Sequence, residues 1–310
     1  MKSVSILVGL LVAAGPSLQL PSPPTKPVSG NAYGVNIAGF DFGCDITGTC
    51  TPNGYYPALG VSYFPDGPGQ MQHFAADDNL NIFRLPIGWQ YLVNFNLGGP
   101  LNQTIFQEYD SLVQACLKTG AYCMIDIHNY ARWQGGIIGQ GGPTNDQFAS
   151  VWTQLAAHYR NNNKVIFGLM NEPHDLDVPT WAATVQYVVT AIRKTGAEHN
   201  IIALPGTQYT SAQAFVSDGS FGNLSKVTNQ DGSYTNLIFD VHKYLDVDNS
   251  GTHAECVTNN IDSTFAPLAA TLRSAGRQAI LSETGGGNVQ SCVQYLCQEL
   301  AYLRLVLDTY

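Results

Sequence analysis

"VIFGLMNEPH", residues 165–174, opens with six apolar or small residues and then delivers an amide and a carboxylic acid. A short run that begins with β-branched residues reads as a strand buried on both faces, the usual state of strands in a parallel sheet. A carboxylate at its end does not belong to a core, because burying a charge without a partner costs several kcal/mol or forces the group to keep its proton. The strand must therefore open onto a site that uses the acid.

Six further runs repeat the pattern on either side: "YGVNIAG" (33–39), "NIFRLPI" (81–87), "AYCMIDIH" (121–128), "NIIALPG" (200–206), "NLIFDVH" (236–242) and "QAILSE" (278–283). Between them lie segments of helical period, "TIFQEYDSLVQACLKTG", "NDQFASVWTQLAAHYR", "VPTWAATVQYVVTAIRKTG" and "STFAPLAATLRSAG", several of which stop at Gly after basic residues. Strands recurring about every 35 to 45 residues predict a (β/α)8 TIM barrel, whose functional residues sit at the C-terminal ends of the strands. A doubly wound open sheet competes, but no GxGxxG follows the first strand and no GxxxxGK[ST] occurs. The count stops at seven, and the helical run after Glu283 reaches Tyr310. The expected barrel thus lacks its eighth strand and final helix, leaving an unpaired edge on its first and seventh strands.

The chain has 310 residues, 45% of them hydrophobic, as in a globular protein. A net charge of −9 with only fourteen Lys and Arg gives no basic face for nucleic acid or an anionic membrane. A neutral substrate and a monomeric enzyme are expected. Residues 1–20, with Lys2 ahead of an apolar run and small residues, read as a secretory signal. That run is too short to stay in a bilayer. A Pro-rich stub at 21–30 and a catalytic domain at 31–310 follow, so a secreted, extracellular protein is expected. "NQT" at Asn102 and "NLS" at Asn223 are permissive glycosylation sites. Cysteines of an exported protein are mostly paired. Cys44 with Cys50 and Cys116 with Cys123 are close enough to staple single loops, and of Cys256, Cys292 and Cys297 one is left over from the odd total of seven.

Only six glutamates occur, and their settings separate them. Glu108, Glu198 and Glu299 lie in helical runs and Glu255 in a polar loop, where a solvated surface charge is expected. Glu172 and Glu283 sit at strand ends. Two facing carboxyls at strand ends are the equipment of a glycosidase, one protonated to donate to the leaving oxygen and one ionised to attack. Arg84, His128, Asn129, Asn171, His242 and Tyr244 load the other strand ends. Each polar group at a shared mouth raises the cost of a mouth without function. Sugar rings stack on aromatic faces. Trp133 is the best such platform, Trp181 could be platform or helix core, Trp152 reads as core, and Trp89 as either. "GGIIGQGGPT" (135–144) could shape the rim. "DVDNSG" (246–251) begins like a calcium loop, but Val257 stands where a bidentate Glu is needed, and no HExxH or GxSxG occurs. No metal or organic cofactor is expected.

"RLP", "DIHNY", "NEPH", "VHKY" and "SETGG", together and in chain order, resemble glycoside hydrolase family 5, most closely its fungal secreted endo-β-1,4-glucanases, over roughly 31–300. The resemblance implies retaining hydrolysis of β-1,4-glucan, with Glu172 as acid/base and Glu283 as nucleophile. By the same resemblance Arg84 bonds the nucleophile, Asn171 the substrate 2-hydroxyl, His128 the substrate, His242 the acid/base, and Tyr244 donates to the nucleophile. It also implies a Cys256–Cys292 bridge beside the two local ones, and a Cys297 partner in the missing end. A β-mannanase would carry the same two acids, and a carbohydrate-binding relic of the shortened barrel would carry them idle.

Overall fold

The computed structural model describes residues 4–11, 32–55 and 66–308. In chain order its strands are β1 Val4–Leu11, β2 Tyr33–Asn36, β3 Ile82–Ile87, β4 Tyr122–Ile127, β5 Arg132–Trp133, β6 Gly136–Ile137, β7 Val165–Gly168, β8 Ile202–Pro205, β9 Leu237–His242, β10 Ala279–Glu283 and β11 Gly285–Gly286. Its helices are α1 Gly67–Ala76, α2 Trp89–Leu92, α3 Gln103–Lys118, α4 Asn145–Tyr159, α5 Val178–Lys194, α6 Ser220–Leu224, α7 Ala266–Ser274 and α8 Gln290–Asp308. Among them no helix is long and apolar enough to cross a membrane.

Each of the seven apolar runs is a strand, and β2, β3, β4, β7, β8, β9 and β10 pair in parallel in that order. The expected free edges are a point of correction. β1 runs antiparallel between β2 and β10, pairing Ile6 with Val35 and Val8 with Leu281, so the seam of the barrel is spanned. An apolar, β-branched run such as "VSILVGLL" has the composition to complete a sheet. It belongs to the segment read as a secretory signal; residues 12–31, with the remainder of that segment and the Pro-rich stub, lie outside the described residues.

Alternation along the strands sorts side chains into two cores. Outward residues such as Phe83, Leu85, Ile125, Phe167, Phe239 and Leu281 pack with the helices. Inward residues Ile82, Met124, Ile166, Ile238 and Ile280 form a separate buried cluster that plugs the barrel. Two residues further along three of these strands the inward positions are Arg84, Asp126 and Asp240, all buried. The barrel therefore changes from apolar to polar toward the C-terminal ends of its strands, and this gradient locates the site.

Helices hold the strand ends in place. Thr144 and Gln147 close a reciprocal capping box at the start of α4. From α4, Trp152 donates to the Leu169 carbonyl at 3.1 Å, and from α5 Trp181 donates to the Pro205 carbonyl at 2.8 Å. Both indoles are fully buried, so Trp181 is helix core rather than a platform. Gly168 lets β7 approach β4: a Cβ there would meet the Met124 methyl at 2.6 Å and the Ile125 carbonyl at 3.0 Å.

Candidate active site

Glu283 ends β10 and is held by two strong donors. The Arg84 Nη1 donates to its Oε1 at 2.5 Å and the Tyr244 hydroxyl to its Oε2 at 2.8 Å, with His242 Nδ1 3.6 Å from the same Oε2. Burial by itself would raise this carboxyl, but the charges of His242 and Arg84 and the Tyr244 bond outweigh it and hold Glu283 down at about 2. A carboxyl held this far below its usual value is ionised across the neutral range, as an attacking carboxylate must be.

Glu172 follows β7 with a backbone φ of +43°, the left-handed region that a non-glycine residue enters only under strain. Its Oε1 bonds the His242 Nδ1 at 2.8 Å, the only hydrogen-bond partner found for it among the described residues. Oxygens of Glu172 and Glu283 and a nitrogen of His242 all lie within 4.8 Å of one another. An oxygen-to-oxygen approach this short fits the carboxyl separation of about 5 to 5.5 Å in retaining glycosidases better than the roughly 6.5 to 9.5 Å that leaves room for water in inverting ones.

Beneath the two acids lies an ionic floor. Arg84 Nη2 pairs with Asp126 Oδ2 at 3.0 Å and donates to Asn171 Oδ1 at 2.8 Å. Burial opposes the Arg84 charge, yet Asp126, Glu283 and Asp240 together keep the guanidinium protonated. His128 bonds Asp126 at 2.7 Å, and that bond with the Asp126 charge outweighs burial and raises the imidazole. His242 sits between the acids; burial works against its charge, but Glu283 and Glu172 prevail and lift it to about 8. Asn171 keeps its Nδ2 buried and without a partner among the described residues, a donor left over for a ligand hydroxyl.

Arg84, His128, Asn171, Glu172, His242, Tyr244 and Glu283 thus meet at one end of the barrel. Two other expected residues are buried among neighbouring side chains. Asn129 is fully buried, accepting from the Trp89 backbone N–H at 2.6 Å and donating to Gln90 at 2.6 Å, so its carboxamide braces the loop after β3. Trp133 is 9% exposed and packs edge-on against the fully buried Trp89, with ring centroids 5.0 Å apart, which leaves little free face for a sugar. The Gly-rich segment 135–144 is tied to the loop after Glu172, since Gln140 exchanges two hydrogen bonds with the Asp177 backbone. Asp126 and Asp240 were not anticipated, although "IDIH" and "FDVH" both place an Asp two residues before a His, on the same face of the strand.

Cys44–Cys50, Cys116–Cys123 and Cys256–Cys292 are bridged, and Cys297 is free and exposed. The third bridge closes a separation of 36 residues, a loop worth about 4 kcal/mol by chain entropy. It fastens the start of α8 to the segment after β9, and Gly286 is required beside it, since a Cβ would lie 2.5 Å from the Cys256 sulfur. In "DVDNSG" the Asp246 carboxylate accepts from Ser250 and from both the backbone and the ring of His253, building a turn, although Asp246, Asp248 and His253 also bring donor atoms within 4.8 Å.

Comparison with known proteins agrees with this geometry. The chain is 65% identical to endoglucanase EG-II of Hypocrea jecorina over 281 residues, 89% of this chain and 67% of that protein. It is 49% identical to endoglucanase 1 of Saitozyma flava over 298 residues, 94% of this chain and 83% of that one. The crystal structure of Cel5A (EG2) from Hypocrea jecorina superposes with a TM-score of 0.87 at 64% identity, covering 89% of this chain and 85% of that chain. The cellulase profile, glycosyl hydrolase family 5, matches residues 35–307, which takes in both acids and every strand of the parallel barrel except the first two residues of β2. This chain therefore belongs to glycosyl hydrolase family 5, the cellulase family.

Proposed function

We infer that the protein is an endoglucanase that cleaves internal β-1,4 bonds of cellulose and related glucans with retention of configuration. The observation that carries this is the asymmetry of the two acids: Glu283 is chelated by Arg84 and Tyr244 and kept ionised, while Glu172, within 4.8 Å of it, has His242 as its one hydrogen-bond partner among the described residues. Glu283 attacks the anomeric carbon as Glu172 gives its proton to the glycosidic oxygen, and the bond to the leaving sugar breaks as the bond to Glu283 forms. Glu172, now a carboxylate, takes a proton from water, which displaces Glu283 and regenerates the start. Asn171 Nδ2, buried with no partner among the described residues, is the donor expected to bind the sugar 2-hydroxyl, a contact that strengthens as charge develops at the anomeric carbon. Arg84 keeps the nucleophile charged without sharing its proton.

We further propose export of the chain with loss of residues 1–20 and action as a monomer on extracellular polysaccharide; the N-terminal sequence and elution volume of protein from culture medium test both. For the chemistry, Glu172→Gln and Glu283→Gln are each expected to lower turnover on carboxymethyl cellulose by about three orders of magnitude or more. Near-normal release of reducing sugar by either variant contradicts its role. Binding of cellodextrin by the unaltered chain with no release would make the site a binding relic.

A further inference from the structure

Strict alternation would point Ser282 and Glu283 to opposite faces of β10. The pairing with β9 prevents this: Leu281 stands opposite Val241 and Glu283 opposite His242, so one residue of β10 is extra, and that residue is Ser282. A slip of this kind re-aims side chains. Here it turns both toward one imidazole, with Ser282 Oγ 2.8 Å from His242 Nε2 and Glu283 Oε2 3.6 Å from His242 Nδ1. Ser282 is fully buried, and its backbone carbonyl is fixed by the Asn36 amide at 3.2 Å.

A hydroxyl beside a ring nitrogen can donate or accept, and the neighbour on its other side decides. Ser282 is a hydrogen-bond neighbour of Asp240, a buried carboxyl for whose two oxygens no other donor is found among the described residues. Burial lifts Asp240 to about 6, so at neutral pH it is a carboxylate in need of a donor. The Ser282 proton goes to Asp240, and its oxygen is then left to accept from Nε2–H.

We propose that Ser282, backed by Asp240, is a positioning residue for Glu172: it pins a proton on His242 Nε2 and so confines the exchangeable proton to the bond between His242 Nδ1 and Glu172. With Nε2–H held, His242 and Glu172 carry one further proton between them along the Nδ1···Oε1 line; the protonated ring stores it and hands it to Glu172 for delivery to the glycosidic oxygen. Without the acceptor at Nε2, that nitrogen gives its proton up to solvent, the neutral ring keeps its remaining proton on Nδ1, and Glu172 is left a carboxylate with no proton to give. This inference rests on Glu172 being the acid/base and names what sets its protonation.

The test uses leaving-group dependence in the full chain. Cellotetraose needs acid assistance to expel a sugar; 2,4-dinitrophenyl β-cellobioside does not, and kcat/KM for it reports the first step alone. Ser282→Val and Ser282→Thr have the same shape and differ in the hydroxyl. Ser282→Val is expected to lower kcat/KM on cellotetraose by on the order of tenfold and on the aryl substrate by less than about twofold, with Ser282→Thr near the unaltered enzyme on both. Ser282→Ala should give the same split with a smaller side chain. Equal losses on the two substrates, or equal rates for the Val and Thr variants, would overturn the proposal. Glu172→Ala serves as the reference: a large split there with none at Ser282 removes the role of Ser282 alone, whereas no split at Glu172 removes the acid/base assignment and this inference with it.

Discussion

Glu299 lies in a helical run where a carboxylate is ordinarily solvated, yet it is fully buried and accepts from the Thr284 hydroxyl at 2.9 Å, one residue beyond the nucleophile. Periodicity cannot reveal this, because α8 buries its charge against a loop that the sequence does not place. Burial raises Glu299 to about 8, more than its bonds and Lys243 lower it. Between its ordinary value near 4.5 and about 8 the folded chain holds a proton that the unfolded chain has released, so stability falls as pH rises through that window. Glu299→Gln should abolish this slope and gain on the order of 3 kcal/mol relative to the unaltered chain at pH 8, with little change at pH 4.5. Urea unfolding at the two pH values checks it, and parallel pH dependences in the two proteins would refute it. The catalytic acids were legible because a carboxyl at the end of an apolar run has no bland reading. Their inner partners Asp126 and Asp240 were not singled out, because an Asp inside a strand becomes intelligible only once Arg84 is known to lie between them.

At the scale of elements the parallel strands were readable to within a few residues, since each is a continuous apolar run bounded by polar or Gly-rich segments. β1 was not. A run of apolar residues near an N-terminus satisfies the rules for a leader and for a strand equally, and only pairing distinguishes them. In the structure β1 spans the seam between β2 and β10. Removing residues 1–20, by deletion or by processing, frees two rows of backbone donors and acceptors. The shortened chain is expected to melt several degrees lower and, still a monomer at the dilution of an assay, to associate only at high concentration, measured by thermal unfolding and size-exclusion chromatography over a dilution series. An unchanged melting temperature with a monomeric profile would show that the seam contributes nothing to stability. The 132–137 hairpin escaped reading for a different reason: its strands have two residues each, too few for any alternation to show.

For the molecule as a whole, function follows from a barrel whose interior is plugged with isoleucines at one end and charged at the other. The apolar plug makes the floor rigid, and the polar layer above it turns an arginine, two aspartates and two histidines into a fixed field around a pair of unequal acids. The central claim is that Glu283, and not Glu172, forms the bond to the sugar. A 2-deoxy-2-fluoro-β-cellobioside with a dinitrophenyl leaving group forms the glycosyl-enzyme quickly and loses it slowly, because fluorine destabilises the oxocarbenium-like transition state of both steps while the leaving group rescues only the first. Mass spectrometry of the digested, inactivated protein should find one fluorocellobiosyl group on the peptide carrying Glu283. An adduct on the Glu172 peptide, or hydrolysis of the reagent with no adduct on either, would contradict the account.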